Sequence, residues 1–553
     1  MKSIKKYISH IAFASMVLVG TSACSLDRFP ESEFSDKDFW NTENDLRLAA
    51  NRLYQRLEGF SLDNRADDNV NQNINQISNG TWSIPSTSDD WNNPYRIIFT
   101  ANNILIKGEK ATAGEAIKNR YLGEARFFRA YAYFTLLQKY GDVPLLLKTL
   151  DFDSPELFMG RAPKQEVAKQ IYEDLDFATQ WLPSASAVPA DQYGRVSKST
   201  AQALKARVAL FIGTFGKYHN EPGFQEHLDV AVKSAEFVMG QGHKLFANYG
   251  QLFDHPGEGR TNTENILVKI YGVSSSNLIL GHNYSRDMEN GRLSMTRNFV
   301  RQYLYEDGLP AFNELNQPSS KRSAFFVAEG QEPSYNTVFE HRDPRLTYTL
   351  FKAEESAYKG PWVPTTTLGS RTAYATKKYF NLTDWQVNGN GTVDRILIRY
   401  GEVLLIYAEA KYEQTGSISD ADLDRTVNAL RARAGFNAKL TNTFAQTNQL
   451  SLLEEIRRER SVELALEGFR YTDILRWKLA EKLLTQTLLG AKYIAVDWVG
   501  ADIKNLNLNT EQILIVEDAS TRKFDPAKDY YYPVPLREIS VSDGNVVQNP
   551  NWK

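Results

Sequence analysis

"EARFFRAYAYFTLLQKYGDVPLL", Glu124–Leu146, decides the fold. Phe127, Ala130, Phe134 and Leu137 recur at helical spacing and mark one apolar stripe, while Ala125, Phe128, Ala132 and Leu136 mark a neighbouring one. A helix apolar on two faces is packed on several sides. Read upstream, the same helix begins at Glu115 and runs to Lys139; Gly141 then supplies a stop and Pro144 forbids continuation.

The neighbouring sequence has the same character. Lys164–Trp181 and Ser199–Gly213 read as a helical pair, and Ala201, Ala203, Ala206 and Ala209 in the second would let a partner helix approach closely. The pair resembles one tetratricopeptide unit, and stacked units of that kind build a superhelical body. Upstream, Glu43–Glu58 and Asn93–Lys107 are helical by their spacing. Helices return in "RILIRYGEVLLIYAEAKYEQTG", "DADLDRTVNALRARAG" and "LLEEIRRERSVELALEGFRYTDILRWKLAEKLL". The expected class is mainly α, with a helical scaffold over about 43–247 and 396–485. Between them, 248–395 is punctuated by Gly, Pro, Ser and Asn, with strand-like pieces such as "NILVKIYG", and reads as an insertion of loops and small strands. The tail, "DYYYPVPLREISVSDGNVVQNPNW", is extended and broken by proline.

The N-terminus belongs to export. Lys2, Lys5 and Lys6 precede an apolar run from Ile11 to Gly20, about half the length a membrane-spanning helix needs. The only cysteine, Cys24, follows at once. A lone thiol forms no intrachain disulfide, and Thr21-Ser22-Ala23-Cys24 resembles a bacterial lipoprotein cleavage box, although Thr21 departs from the usual aliphatic residue there. The expected division is a signal peptide over 1–23, a lipidated N-terminus and tether over 24–42, and one domain over 43–553. Acyl chains contribute about 0.8 kcal/mol per buried methylene, so two or three of them would hold the body at a membrane surface.

Composition excludes some classes. The 553 residues carry a net charge of −3 with both signs interspersed, which argues against nucleic acid as a partner. Seven histidines show no HExxH spacing, a second cysteine is missing, and "NGNG" at Asn388–Gly391 reads as a turn and not a phosphate loop. The pattern implies neither a metal nor a cofactor. Arg126 and Arg129, with Glu402, Glu409, Glu463 and Glu467 among Arg399, Arg460, Arg470 and Arg476, sit on apolar helices and read as ion pairs that lock packing.

Taken together, "EARFFRAYAYFTLLQKYGDVPLL", "HRDPRL", "ILIRYGEVLLIYAEA", "NALRARAGF", "ERSVELALEGFRYTDILRW", "YYYPVPLREI" and "QNPNW" resemble the SusD/RagB family of Bacteroidetes outer-membrane lipoproteins, over almost the whole chain and in the family's order. The resemblance implies tetratricopeptide-like helical pairs backing a variable, loop-rich face with minor β structure that holds the ligand. It implies a lipid anchor in the outer membrane at the cell surface and a SusC-like TonB-dependent transporter as partner. The ligand it implies is an oligosaccharide or polysaccharide, captured without catalysis; a peptide, as in RagB-like relatives, is the alternative, and a glycosidase using two loop acids is the third reading.

A pyranose offers an apolar face of C–H groups and an edge of hydroxyls, so its receptor needs flat rings beside planar polar groups. The non-helical stretch Ser61–Trp91 has that mixture: Trp82 beside Asn79, with Arg65, Asp67, Asp68 and Asn69 upstream. Trp91, starting a helix ahead of Tyr95, is a candidate for the site and for the core alike. Trp362, Arg371, Tyr374 and Trp385 form a second set on the variable stretch. Adjacent acids such as Asp67-Asp68 and Asp89-Asp90 invite a catalytic dyad, but neighbouring side chains on extended backbone point apart.

Overall fold

The computed structural model describes residues 39–272, 281–367, 369–499 and 505–553. The leader, Cys24 and most of the tether lie outside the described residues.

The chain is mainly helical. Helix α1, Glu43–Tyr54, opens on a capping box in which Thr42 and Asp45 satisfy each other's backbone N–H groups. Helix α2, Asp89–Gly108, is capped by Ser88. Helix α3, Glu115–Tyr140, is the one the double apolar stripe predicts, buried on most of its circumference and ended by Gly141 at φ 71°. A Cβ on Gly141 would also meet the Tyr531 ring at 3.1 Å, so this position needs glycine twice over. Helices α4, Lys164–Trp181, α5, Lys198–Tyr218, and α6, Phe224–Met239, follow.

These helices stack up and down in sequence order. Arg129 meets Asp174 while Gly123 meets Leu182, so α4 runs back along α3. Lys205 meets Asp176 and Gln202 meets Thr179, so α5 runs back along α4. At the next turn Gly213 and Gly216 face Leu228 and Phe224, so α6 runs back along α5. A Cβ on Gly213 would lie 2.9 Å from a Leu228 methyl and 3.1 Å from its backbone nitrogen. The small residues of α5 therefore do what their size predicts: they let two backbones approach. Helix α7, Tyr400–Thr415, packs on α6 and on α8, Leu452–Glu463.

One departure from the sequence reading has a local cause. The long helical pattern after Leu452 breaks beyond α8, because Leu466 and Gly468 take positive φ, and resumes as α9, Arg470–Arg476. The strands are short antiparallel pairs: β1, Asn69–Val70, with β3, Ser294–Met295; β2, Asn265–Lys269, with β4, Arg395–Arg399; and β5, Leu488–Lys492, with β6, Ile513–Glu517. The largest core runs through α1–α6 and α9; a second, around Phe299, Phe351 and Trp362, lies under the loop-rich stretch.

Buried ion pairs tie the helices together. Asp174, fully buried, accepts two hydrogen bonds from Arg129 (2.7 and 2.8 Å) and one from Arg126 (3.0 Å). Glu463 receives Arg345 and Arg399, each at 2.8 Å, and Arg433. Glu409 receives Arg476 and the indole N–H of Trp477. Two partners differ from the expected set: Glu402 pairs with Arg207 at 2.6 Å, and Arg470 reaches across to Asp67 at 2.8 Å. Among the described residues no helix is long and apolar enough to cross a membrane.

Candidate ligand cleft

A cleft of about 610 Å³ opens between the non-helical stretch after α1 and the helical scaffold. Its floor is the third face of α3. Tyr131, Thr135, Gln138 and Lys139 line it at helical spacing, and at 1.5 Å per residue they cover about 12 Å. Residues 56–69 form one flank, and the α8–α9 connection with Phe469 and Arg470 forms another. Arg395 and Glu58 stand toward the Tyr131 end, where both act electrostatically on its hydroxyl. Asp90 pairs with Lys139 at 2.5 Å at the other end.

The flank is held in place by ion pairs, one half-buried and one buried. Arg65 donates to both oxygens of Asp63 (2.8 and 2.7 Å) and to the hydroxyl of Tyr532 (2.8 Å), with its guanidinium 4.8 Å from the Tyr471 ring centre. Burial would raise the Asp63 carboxyl, but Arg65 overrides it and holds it low. Asp67 turns away from the cleft into a bidentate pair with Arg470 (2.8 and 2.9 Å). Its neighbour Asp68 turns the other way and lines the cleft, 5% exposed. Burial, then Asp67 and Asp63, push Asp68 up to about 7. The two acids thus diverge, as expected from their adjacency, although the backbone there is a bend that precedes β1 and not an extended strand. Burial, then Glu58, pushes the Tyr131 hydroxyl up to about 12. Half-buried Phe60, Tyr131 and Phe469 add apolar area to the lining; Phe60 is stacked on Tyr284 (4.4 Å between ring centres), and the guanidinium groups of Arg207 and Arg460 lie against the Phe469 ring.

Of the residues singled out in the sequence, Arg65, Asp68 and Asn69 come together here. The others go elsewhere. Trp82 is half-buried, edge-on against Tyr532 and Trp552 (both 4.8 Å between ring centres), so it anchors the tail instead of standing free in the loop. Asn79 closes its own turn, accepting from the N–H and hydroxyl of Thr81. Trp91 is buried against Tyr140 in the first turn of α2, which is its core reading. Trp362 and Tyr374, 4% and 1% exposed, belong to the second core and present no ring to a ligand. Arg371 is taken by Glu517 at 3.0 Å. Trp385, in the short helix Leu382–Gln386, donates its indole N–H to Glu289 at 2.7 Å beneath Arg286 and is not among the residues that line the cleft.

Sequence reasoning missed the floor. Its signal was present: Tyr131, Thr135 and Gln138 recur at i, i+4 and i+7 on the face of α3 that neither apolar stripe uses. Among the described residues no group of three or more His, Cys, Asp and Glu is placed to hold a metal ion.

Two family models match the chain. The model described as "SusD family" matches residues 253–552, and the one described as "Starch-binding associating with outer membrane" matches 42–210. The chain is similar to the SusD-like protein P2 of Formosa agariphila, 24% identical over 99% of this chain and 100% of that one. In structure it resembles a SusD-like carbohydrate binding protein of Bacteroides fragilis, 26% identical with a TM-score of 0.74, covering 91% of this chain and 99% of that one. A laminarin binding SusD-like protein shares the fold at 22% identity and a TM-score of 0.59, covering 93% and 100%.

Proposed function

Because the chain belongs to the SusD/RagB family, we propose that it is a cell-surface, lipid-anchored binding protein of the outer membrane that captures an oligosaccharide in the α3 cleft and hands it to a SusC-like TonB-dependent transporter. The single observation that carries this reading is the cleft's lining. Aromatic side chains (Phe60, Tyr131, Phe469) share the lining with planar polar groups such as Arg65 and Asn69, the combination that a pyranose face and its hydroxyl edge require. A matching description attaches starch binding to the family model over 42–210, the segment that supplies α3.

The acids favour binding over bond cleavage. Glycoside hydrolysis takes two carboxyl groups facing one another across the sugar. Here Asp63, Asp67 and Asp90 are each held in an ion pair; among the described cleft residues Asp68 and the exposed Asp89 have none, and they stand on separate elements, the flank and the first turn of α2. The signal peptide over 1–23 and the tether from Cys24 belong to the same proposal, with residues 43–553 as one binding body.

Affinity electrophoresis through gels containing single polysaccharides tests it. At least one polysaccharide should retard the protein, and Tyr131→Ala should weaken that retention by tenfold or more at a temperature where the variant is still folded, its melting temperature lowered by the packing lost on Phe127. Retention by none of a broad panel, or copurification from cells of peptide masses in place of hexose ladders, would overturn the glycan reading. New reducing ends after prolonged incubation would overturn the non-catalytic one.

A further inference from the structure

The arginines around the cleft are not equivalent. Arg65, Arg207, Arg470 and Arg476 each meet a carboxylate in a two-point or buried pair: Asp63, Glu402, Asp67 and Glu409. Arg395 does not. Its nearest acid is Glu58 at 3.6 Å, whose side chain is 59% exposed, and such a pair is worth little in water. Its Nη1 is buried and has no hydrogen-bond partner among the described residues. Leaving a buried charged donor unmatched carries a desolvation cost that most native structures avoid.

The strand pairing makes the imbalance sharper. In the antiparallel β2–β4 ladder Arg395 stands directly opposite Lys269, so both side chains leave the same face. Like charges directly opposite in a ladder are destabilising. Burial, then Arg395, lower the basicity of Lys269, whose ammonium donates to the carbonyl of Leu57. Exposed Arg56, which like Arg395 lines the cleft, adds a third cation with no ion pair among the described residues. The one acid facing this group from α1 and its flank is Glu58; the tyrosines nearest to Arg395 (Tyr131, Tyr379 and Tyr284) are neutral near pH 7.

We propose that this end of the cleft, where Arg395 and Arg56 line the wall and Lys269 adds its charge from across the strand ladder, seats an oxyanion carried on a sugar, a carboxylate or a sulfate ester, so that the captured glycan is an acidic one. This rests on the glycan reading above and narrows its ligand class. The guanidinium fork of Arg395 supplies the planar donor pair that a carboxylate or sulfate accepts from, and the flanking ammonium and Arg56 add charge without fixing geometry. Tyr131, at the same end, offers the ring for the sugar that bears the group. The bound oxyanion would offset the repulsion between Lys269 and Arg395, so ligand binding and relief of that repulsion act in one direction.

The test compares gels of polygalacturonate (carboxylate alone), carrageenan (sulfate ester alone), and laminarin and xyloglucan (neutral). Wild-type protein should be retarded by one of the two acidic polymers, more weakly as salt rises. Arg395→Gln should reduce that retention tenfold or more, and Lys269→Gln should reduce it while raising the melting temperature, a combination that a purely structural role does not produce. Which acidic gel retards the protein separates carboxylate from sulfate. Should Arg395→Gln not fold, the Arg56→Gln, Lys269→Gln double variant carries the same comparison. Retardation by neutral polymers alone, or acidic retention within twofold of wild type in these variants, overturns the proposal and leaves the glycan reading standing. Retardation by none of the four overturns this proposal, and the glycan reading falls with it only when the broad panel also fails to retard the protein.

Discussion

Glu409→Gln isolates one buried ion pair and lets its worth be read against pH. Glu409 lies fully buried on α7, where it accepts from Arg476 Nη2 at 2.7 Å and from the indole N–H of Trp477 at 2.7 Å. Burial alone would raise its carboxyl, but Arg476, then Arg460 and Arg457, override it and hold the value down to about 2, against an ordinary 4.5. That gap corresponds to about 3 kcal/mol of folded-state preference for the carboxylate. The folded value is the depressed one, so the contribution is fully present above pH 4.5 and disappears as pH falls from there toward 2. By pH 3 about 1 kcal/mol of it remains. Glutamine keeps the shape and loses the charge, so urea unfolding should show the variant about 3 kcal/mol less stable than wild type at pH 7, and about 1 kcal/mol less stable at pH 3. An equal deficit at both pH values would refute the electrostatic origin. A deficit under about 1 kcal/mol at pH 7 would refute the pairing itself.

Two further outcomes follow from local geometry. Gly213→Ala forces a methyl against Leu228 where α5 and α6 are closest and should cost about 1–3 kcal/mol in urea unfolding; an unchanged midpoint would mean that the helices can part freely. Asp68 has a folded value raised to about 7 by burial, then Asp67 and Asp63, so the folded state loses stability as pH climbs from about 4 to 7, by at most about 4 kcal/mol. Asp68→Asn should therefore raise the calorimetric melting temperature at pH 8 and leave it nearly unchanged at pH 4, and a drop at both would show that the carboxyl itself is needed for folding.

How far the sequence could be read depended on the range of the interactions involved. The limits of α3 follow from its own stripes and from Gly141, and α4 begins and ends where its spacing says, because helix periodicity is local. The short spacing of Arg126 and Arg129 also marked them as packing charges, and one acid, Asp174, answers both. Trp82 could not be placed the same way. Its setting between Gly80 and Ser83 reads as exposed, and only the return of Tyr532 and Trp552, hundreds of residues later, turns it into an anchor. Trp362 and Tyr374 sit among turn-forming residues that hide the core beneath them. The imbalance at Arg395 depends on a strand register with Lys269, 126 positions away in sequence as numbered, and no window along the chain contains both.

The link from Arg65 to Tyr532 joins groups 467 positions apart. The helices α1–α6 come from the first half of the chain, whereas the cleft wall at Arg65 is completed only by a residue of the tail. A chain truncated before Tyr532 would therefore lose the hydroxyl that holds Arg65 in the cleft wall while keeping every residue of α1–α6.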